Sequence, residues 1–126
     1  MDYDISRMVT TSFEDTIDHL TSELKKEGFG ILTEIDLQAK FKEKLNKDFR
    51  KYKILGACNP ALAYEAVKTD HHIGVMLPCN ILVQEHENGK VEVSAINPMQ
   101  TMGGNERLGE LASDVTKKLR SVVDKV

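Results

Sequence analysis

The chain has 126 residues, of which 40% are hydrophobic and 29% charged. Residues 1–126 therefore have the length and composition of one globular domain that forms a hydrophobic core without disulfides or metal ions. The net charge of −3 argues against nucleic acid as the main partner, because phosphate binding leaves a basic footprint on a protein. No apolar run approaches the roughly 20 residues needed to cross a bilayer, so no membrane segment is expected.

The first part of the chain predicts two strand–helix pairs. In residues 3–9 apolar and polar side chains alternate, which predicts an opening strand. In residues 13–28 the apolar positions recur at helical spacing, which predicts a helix. Gly28 ends that helix, since glycine readily takes the left-handed conformation found after a helix. Residues 29–37 then indicate a second strand, and 37–46 indicate a short amphipathic helix.

Two related phrases surround the only two cysteines of the chain, GACNP at residues 56–60 and MLPCN at 76–80. Before the first cysteine, residues 53–57 predict a brief strand. Asn59 and Pro60 then predict the start of a helix, since asparagine caps helices and proline fits the first helical position, where a missing N–H costs nothing. The first phrase therefore indicates a strand that leads into a capped helix.

The second phrase follows an unbroken apolar run, residues 73–77 (IGVML). Such a run predicts a central strand that is buried on both faces and that Pro78 ends. If this strand lies beside residues 53–57, Cys58 and Cys79 emerge near one edge of the sheet. Functional sites often gather where strand ends meet helix starts, so this edge is the place to look for one.

Residues 81–96 predict a hairpin, and the apolar pattern decides its register. A three-residue loop that ends at Gly89 pairs Val83 with Val93, whereas a two-residue turn would pair Val93 with Gln84. A slip of one residue moves every side chain to the other face of the sheet. We therefore predict the three-residue loop, with Gly89 in the left-handed conformation.

The chain closes with a loop rich in glycine and methionine, 99–104, and a helix over 106–125 that has a continuous apolar stripe. The whole order is strand, helix, strand, helix, strand, helix, three strands and a last helix. Helices segregated onto an antiparallel or mixed sheet fit this order best. The predicted fold class is therefore α+β, a two-layer sandwich of an antiparallel or mixed sheet with helices packed mainly on one face.

The cysteine phrases, in combination with their surroundings, carry a resemblance to a known family. GACNP, LAYEA at 62–66, GVMLPCN at 74–80, the hairpin and the pair Asn97–Pro98 together resemble the domain of unknown function family 302, over nearly the whole chain. The resemblance implies a small α+β fold and a homodimer. It implies no established activity, so it transfers no catalytic residue to this chain.

The two cysteines are the side chains best suited to chemistry. Cys58 directly precedes a predicted helix cap, where the positive end of the helix dipole would stabilise a thiolate. A thiol pair, a soft metal ion or a thiolate ligand to a larger cofactor would suit this arrangement, but free cysteines also pack as small buried hydrophobes. The candidate ligand-binding or thiol site is Cys58, Asn59, Cys79 and Asn80. The two asparagines also have structural explanations, as a helix cap and a turn residue.

A structural zinc site is not expected, and no catalytic residue or cofactor is assigned. Such zinc sites use four ligands and usually contain a closely spaced cysteine pair, whereas Cys58 and Cys79 are far apart in the sequence. His71 and His72 are adjacent, and adjacent side chains on an extended segment point to opposite sides, so both rarely bind one ion.

We interpret the chain as a cytoplasmic domain that binds a small or soft ligand near Cys58 and Cys79, without demonstrable catalysis. Free thiols and the lack of a secretion signal indicate a reducing compartment. One alternative is a thiol-dependent oxidoreductase in which the two cysteines cycle between dithiol and disulfide. Another is a non-catalytic dimeric interaction module. The expected partners are a second copy of the chain and a small molecule or soft metal, and neither nucleic acid nor membrane.

Overall fold

The centre of the protein is a five-stranded sheet, seen in a computed structural model that describes residues 3–102 and 104–126. The strands are β1 (Asp4–Val9), β2 (Gly30–Asp36), β3 (Tyr52–Cys58), β4 (Cys79–Glu85) and β5 (Val91–Ile96). They lie in the order β1-β5-β4-β3-β2, and every neighbouring pair is antiparallel. This arrangement confirms the α+β class and the antiparallel sheet.

Helices cover one face of the sheet. Those in the described residues are α1 (Phe13–Lys26), α2 (Leu37–Leu45), α3 (Pro60–Thr69), α4 (Pro98–Thr101) and α5 (Gly109–Lys125). The apolar stripes of α1 and α5 pack on the strands, with Leu20, Leu24 and Leu119 fully buried. Burial of each such side chain contributes about 1.5–3 kcal/mol. No helix in the described part of the chain is long and apolar enough to span a membrane.

The hairpin of β4 and β5 has the predicted register. Val83 pairs with Val93, and Gly89 has a φ of 81°, as the three-residue loop requires. The Gly89 N–H donates to the carbonyl oxygen of His86 at 2.9 Å, which closes the turn. Val83 and Val93 are fully buried against the helices, so burial of this apolar set selects the register.

The predicted central strand at 73–77 is wrong. Its residues form a 3₁₀ turn, Ile73–Met76, instead of a strand. The Ile73 N–H donates to the carbonyl oxygen of Asp70 at 3.0 Å, and further local bonds of this kind satisfy the backbone without a neighbouring strand. Ile73 is buried, but Val75 is 86% exposed, whereas a central strand would bury both. A short apolar run does not distinguish a strand from a turn with one buried side chain.

The segment before the last helix also differs from the prediction. The predicted loop 99–104 is partly helical, because a proline at the first helical position begins α4 (Pro98–Thr101). Gly103, in the same predicted loop, lies outside the described residues. The closing helix begins at Gly109, later than the predicted residue 106.

The face of the sheet opposite α1 and α5 carries an open groove, which we call the open face. It is lined by side chains that alternate with the buried ones, among them Ile54 on β3, Leu82 on β4 and Ile96 on β5. All three are half-buried. The open face is therefore mixed in character, because polar residues such as Gln84 and Glu92 line the groove beside the apolar ones.

Candidate functional site

The two cysteines lie on neighbouring strands at the same end of the sheet. Cys58 is the last residue of β3, and Cys79 is the first residue of β4. The register pairs Ala57 with Cys79, so Cys58 lies one residue beyond the partner of Cys79. Both residues therefore lie at one end of the sheet, although β4 brings Cys79 there and the expected strand at 73–77 does not exist.

A small cavity, which we call the thiol cavity, lies at this end of the sheet between β3, β4, α3 and α5. Cys58, Cys79 and Met102 all line it, together with apolar side chains such as Leu62 of α3 and Val115 of α5. The volume open to the centre of a water-sized sphere is about 30 Å³. About 10–15 Å³ suffices for one water, whereas pockets for organic ligands span about 300–1,000 Å³. The cavity therefore fits an ion or a very small molecule.

Cys79 is held as a neutral thiol by its surroundings. Only 8% of the residue is exposed. Burial, and to a smaller extent the neighbouring Cys58 as a second potential negative charge, raises the pKa of Cys79 to about 11. At neutral pH the Cys79 thiol consequently keeps its proton. Cys58 is half-buried and not bonded to Cys79, so both sulfurs are free.

Asn59 is occupied by structural bonds at both ends of its amide. Its Oδ1 accepts from the Leu62 N–H at 3.3 Å, which caps α3, and its Nδ2 donates to the carbonyl oxygen of Glu27 at 3.2 Å. A Cβ at Gly28, which has a φ of +85°, would lie only 2.9 Å from Asn59 Nδ2. Asn59 therefore ties the start of α3 to the end of α1 and positions Cys58 beside it.

Asn80 lies away from the thiol cavity. It pairs with Gly56 across β3 and β4, and its exposed side chain lines the groove of the open face. Side chains alternate along a strand, so Asn80 and Cys79 point to opposite faces of the sheet. Cys58, Asn59 and Cys79 are among the residues that line the thiol cavity, whereas Asn80 is not.

Met102 is the residue that the sequence interpretation missed. It follows α4, is 5% exposed and packs in a second apolar cluster with Ala66 and Leu108. One sequence signal pointed here: the pair Asn97–Pro98 repeats the pattern of Asn59 and Pro60, and it starts a helix in the same way. A helix at this point makes the following methionine a candidate for burial, which a flexible loop does not.

Metal ligands with oxygen or nitrogen donors are not assembled in the described part of the chain. There, no group of three or more His, Cys, Asp or Glu side chains is placed to hold a metal ion. The rings of His71 and His72 lie 4.1 Å apart in an exposed turn, and neither lines the thiol cavity. This result includes Cys58 and Cys79, so among the described residues no third side chain of these types joins them as a metal ligand.

Comparisons with known proteins agree on the fold and the family. The model of the family described as "Domain of unknown function DUF302" matches residues 5–126. A crystal structure of an uncharacterised conserved DUF302 protein from Bacillus stearothermophilus is similar to this chain, with a TM-score of 0.91 and 31% sequence identity over 99% of this chain and 98% of that one. No curated relative matches this chain. The match over almost the full length shows that the chain belongs to the DUF302 family, whose function is unknown.

Proposed function

We propose that the protein binds a small or soft ligand in the thiol cavity, near Cys58 and Cys79, and does not itself catalyse a reaction. The observation that carries this proposal is that Cys58 and Cys79, the only cysteines of the chain, line one small apolar cavity. Thiolates are soft donors, so a ligand held there is a soft ion or a small group with affinity for sulfur.

The lining of the cavity supports binding rather than catalysis. General acid–base chemistry needs a titratable group within hydrogen-bond reach of the reacting atoms. Among the described residues that line the cavity, the cysteines are the only titratable groups, and both amide ends of Asn59 are engaged in structural bonds. Such a site holds a ligand by sulfur contacts and excludes water from it.

The redox alternative receives less support from the same geometry. Thiol–disulfide exchange proceeds through a thiolate, and it is faster when the departing thiol has a low pKa. Burial raises the pKa of Cys79 to about 11, which leaves this thiol protonated at neutral pH and makes it a poor leaving group. The buried surroundings of Cys79 disfavour the thiolate that each cycle between dithiol and disulfide would require.

Native mass spectrometry tests the binding proposal. Protein purified without oxygen or chelators should show a mass excess over the polypeptide, whatever the ligand is. The excess should disappear in the double variant C58A/C79A and persist in N80A, which changes a residue of the opposite face. A wild-type mass equal to that of the polypeptide alone would overturn the proposal. Circular dichroism of the three proteins confirms that each is folded.

We also propose that the protein is a homodimer in the cytoplasm. The half-buried apolar side chains of the open face, Ile54, Leu82 and Ile96, support a second copy as the partner. The two free cysteines support a reducing compartment. In sedimentation equilibrium, L82E should sediment as a monomer, and V75E, which changes an exposed residue outside this groove, should remain a dimer. A monomeric wild type would refute the dimer.

A further inference from the structure

The charges of the chain are unevenly distributed, which creates a basic surface far more positive than the protein as a whole. Residues 40–53 carry seven basic and two acidic side chains, a net charge of +5, whereas the whole chain has a net charge of −3. We propose that residues 40–53, which we call the basic surface, dock on an anionic lipid surface. They comprise the second part of α2, the loop that follows it and the start of β3. This inference is independent of the thiol cavity and its ligand.

Most of the basic surface is left uncovered by the rest of the protein. No residue of α2 is buried, and residues 42–50 are all exposed. Four of the seven cations pair with carboxylates in the described structure: Lys40–Glu43, Lys42–Asp48, Lys51–Glu14 and Lys53–Glu34. Within the same described residues, Lys44, Lys47 and Arg50 form no ion pair, so their charges are available to an anionic partner.

Contacts within the segment fix the shape of the basic surface. The rings of Phe41 and Phe49 meet edge to face with their centroids 5.2 Å apart, and the centroid of Tyr52 lies 5.9 Å from that of Phe49. Gln38 Nε2 donates to the carbonyl oxygen of Phe49 at 3.0 Å. These contacts fold the loop back onto α2. The cations are therefore presented by an ordered unit, which lowers the entropy lost on binding.

Exposed apolar side chains lie next to the unpaired cations in the chain. Leu45 is 63% exposed and follows Lys44, and Phe49 is 39% exposed and precedes Arg50. This combination is typical of surfaces that lie on an anionic bilayer, where cations meet the headgroups and apolar side chains enter the acyl boundary. Each cation near such a surface strengthens binding about fivefold, so three of them contribute roughly a hundredfold.

The charge of the remaining residues sets the orientation of the protein. Outside residues 40–53 the chain has ten basic and eighteen acidic side chains, a net charge of −8. An anionic bilayer repels this part and attracts the basic surface, which therefore faces the lipid. Docking of this kind needs no membrane-spanning helix. It differs from the expectation of no membrane partner, which rested on the lack of an apolar segment long enough to span a bilayer.

The aromatic side chains of the basic surface favour lipid over single-stranded nucleic acid. Such a nucleic acid stacks its bases on open aromatic faces. The Phe49 ring instead contacts Phe41 and Tyr52, and the guanidinium carbon of Arg50 lies 4.7 Å from its centroid. Phe41 and Tyr52 are themselves half-buried. The aromatic rings thus build the surface and leave no open platform for a base.

Vesicle flotation at increasing lipid concentration tests the proposal. Vesicles of phosphatidylglycerol and phosphatidylcholine in equal parts are anionic, and vesicles of phosphatidylcholine alone are neutral. We expect the wild type to bind the anionic vesicles only, and more weakly as salt is raised, since salt screens exposed charges. K44Q/K47Q/R50Q should bind on the order of a hundredfold more weakly. K90Q/K117Q/R120Q makes the same change of charge at exposed residues outside the basic surface, and it should bind like the wild type.

A pair of leucine variants separates lipid docking from attraction of charges alone. L45S should lower the affinity for anionic vesicles at least about fivefold, because the leucine side chain enters the bilayer. L32S removes a leucine of similar exposure, 68%, from β2 and should leave the affinity unchanged. Since α2 has no buried residue, we expect all variants to fold, and circular dichroism checks this.

Several results would overturn lipid docking. One is a wild type that does not bind anionic vesicles, and another is equal binding by K44Q/K47Q/R50Q and K90Q/K117Q/R120Q. Unchanged affinity of L45S would reduce the interaction to attraction of charges. Tighter binding of single-stranded oligouridylate than of vesicles would assign the basic surface to nucleic acid instead. None of these results affects the mass excess that tests the thiol cavity.

Discussion

Pro78 packs directly over Gly56, which joins the two cysteine phrases across β3 and β4. A Cβ added at Gly56 would lie 2.7 Å from Pro78 Cγ and 2.1 Å from Thr33 Oγ1, both far inside van der Waals contact. Pro78 lines the thiol cavity and immediately precedes Cys79. The absence of a side chain at Gly56 therefore allows Pro78 and the start of β4 to pack against β3 beside the thiol cavity.

A side chain at Gly56 should disturb both the fold and the site. We expect Gly56→Ala to lower the free energy of unfolding by about 1–3 kcal/mol, because the new methyl group must displace the rigid ring of Pro78. Equilibrium urea denaturation measures this loss. Gly30→Ala in the neighbouring strand is the control: nothing lies within 4 Å of its Cβ position, so it should be neutral or slightly stabilising. Equal losses in the two variants would refute the contact as the cause.

Loss of the Asn59 side chain should destabilise the start of α3. Asn59→Ala removes the cap on the Leu62 N–H and the bond to the carbonyl oxygen of Glu27. We expect a loss of about 1–2 kcal/mol in the free energy of unfolding, measured by thermal and urea denaturation. Asn80→Ala, at an exposed position of the open face, should change stability by less than about 0.5 kcal/mol. A larger effect of Asn80→Ala than of Asn59→Ala would contradict these assignments.

The buried thiol of Cys79 predicts a loss of stability at alkaline pH. The ordinary pKa of cysteine is 9.0, and burial raises that of Cys79 to about 11. The unfolded chain therefore releases this proton near pH 9, while the folded protein keeps it until about pH 11. The free energy of unfolding falls through this window by on the order of 2–3 kcal/mol from this group.

Comparison with a variant isolates the Cys79 contribution from other groups that titrate at alkaline pH. Urea denaturation of the metal-free, reduced wild type and of Cys79→Ala is measured at pH 8, 9, 10 and 11. The fall in stability should be steeper in the wild type than in the variant. Parallel curves would show that Cys79 titrates as a solvated thiol.

The two cysteines should differ in reactivity toward a small alkylating reagent. Cys58 is half-buried, whereas Cys79 is 8% exposed and its pKa is raised by burial. We expect iodoacetamide at pH 7.5 to label Cys58 first and Cys79 only on unfolding, since the thiolate is the reactive form. Peptide mass mapping over time gives the order. Faster labelling of Cys79 would place it outside the apolar cavity.

Local patterns determined much of the fold. The hairpin register followed from the need to bury Val83 and Val93, and the start of α3 followed from the bonds available to Asn59 and Pro60. These features depend on residues near one another in the chain. The conformation of residues 73–77 could not be predicted in this way. The turn there is fixed by a hydrogen bond to Asp70 and by the contact of Ile73 with an apolar cluster that includes α5.

Some residues of the candidate site could also be predicted from local patterns, and others could not. The sequence predicted that Cys58 and Cys79 lie at one edge of the sheet, and the register places both residues at the same end of β3 and β4. Asn80 was grouped with them because it follows Cys79, yet strand alternation sends it to the other face. Met102 was missed because its position depends on how α4 packs against the rest of the chain, which no local pattern states.

The sulfur atoms of the thiol cavity come from the end of β3, the start of β4 and the residue after α4, segments that unfolding separates. A ligand bound by all of them must leave before the chain can open. Such a ligand at 100 times its dissociation constant adds about 2.7 kcal/mol to the free energy of unfolding. If a ligand occupies the thiol cavity, chains that lack it open more often, and the stability of the protein then depends on the supply of that ligand.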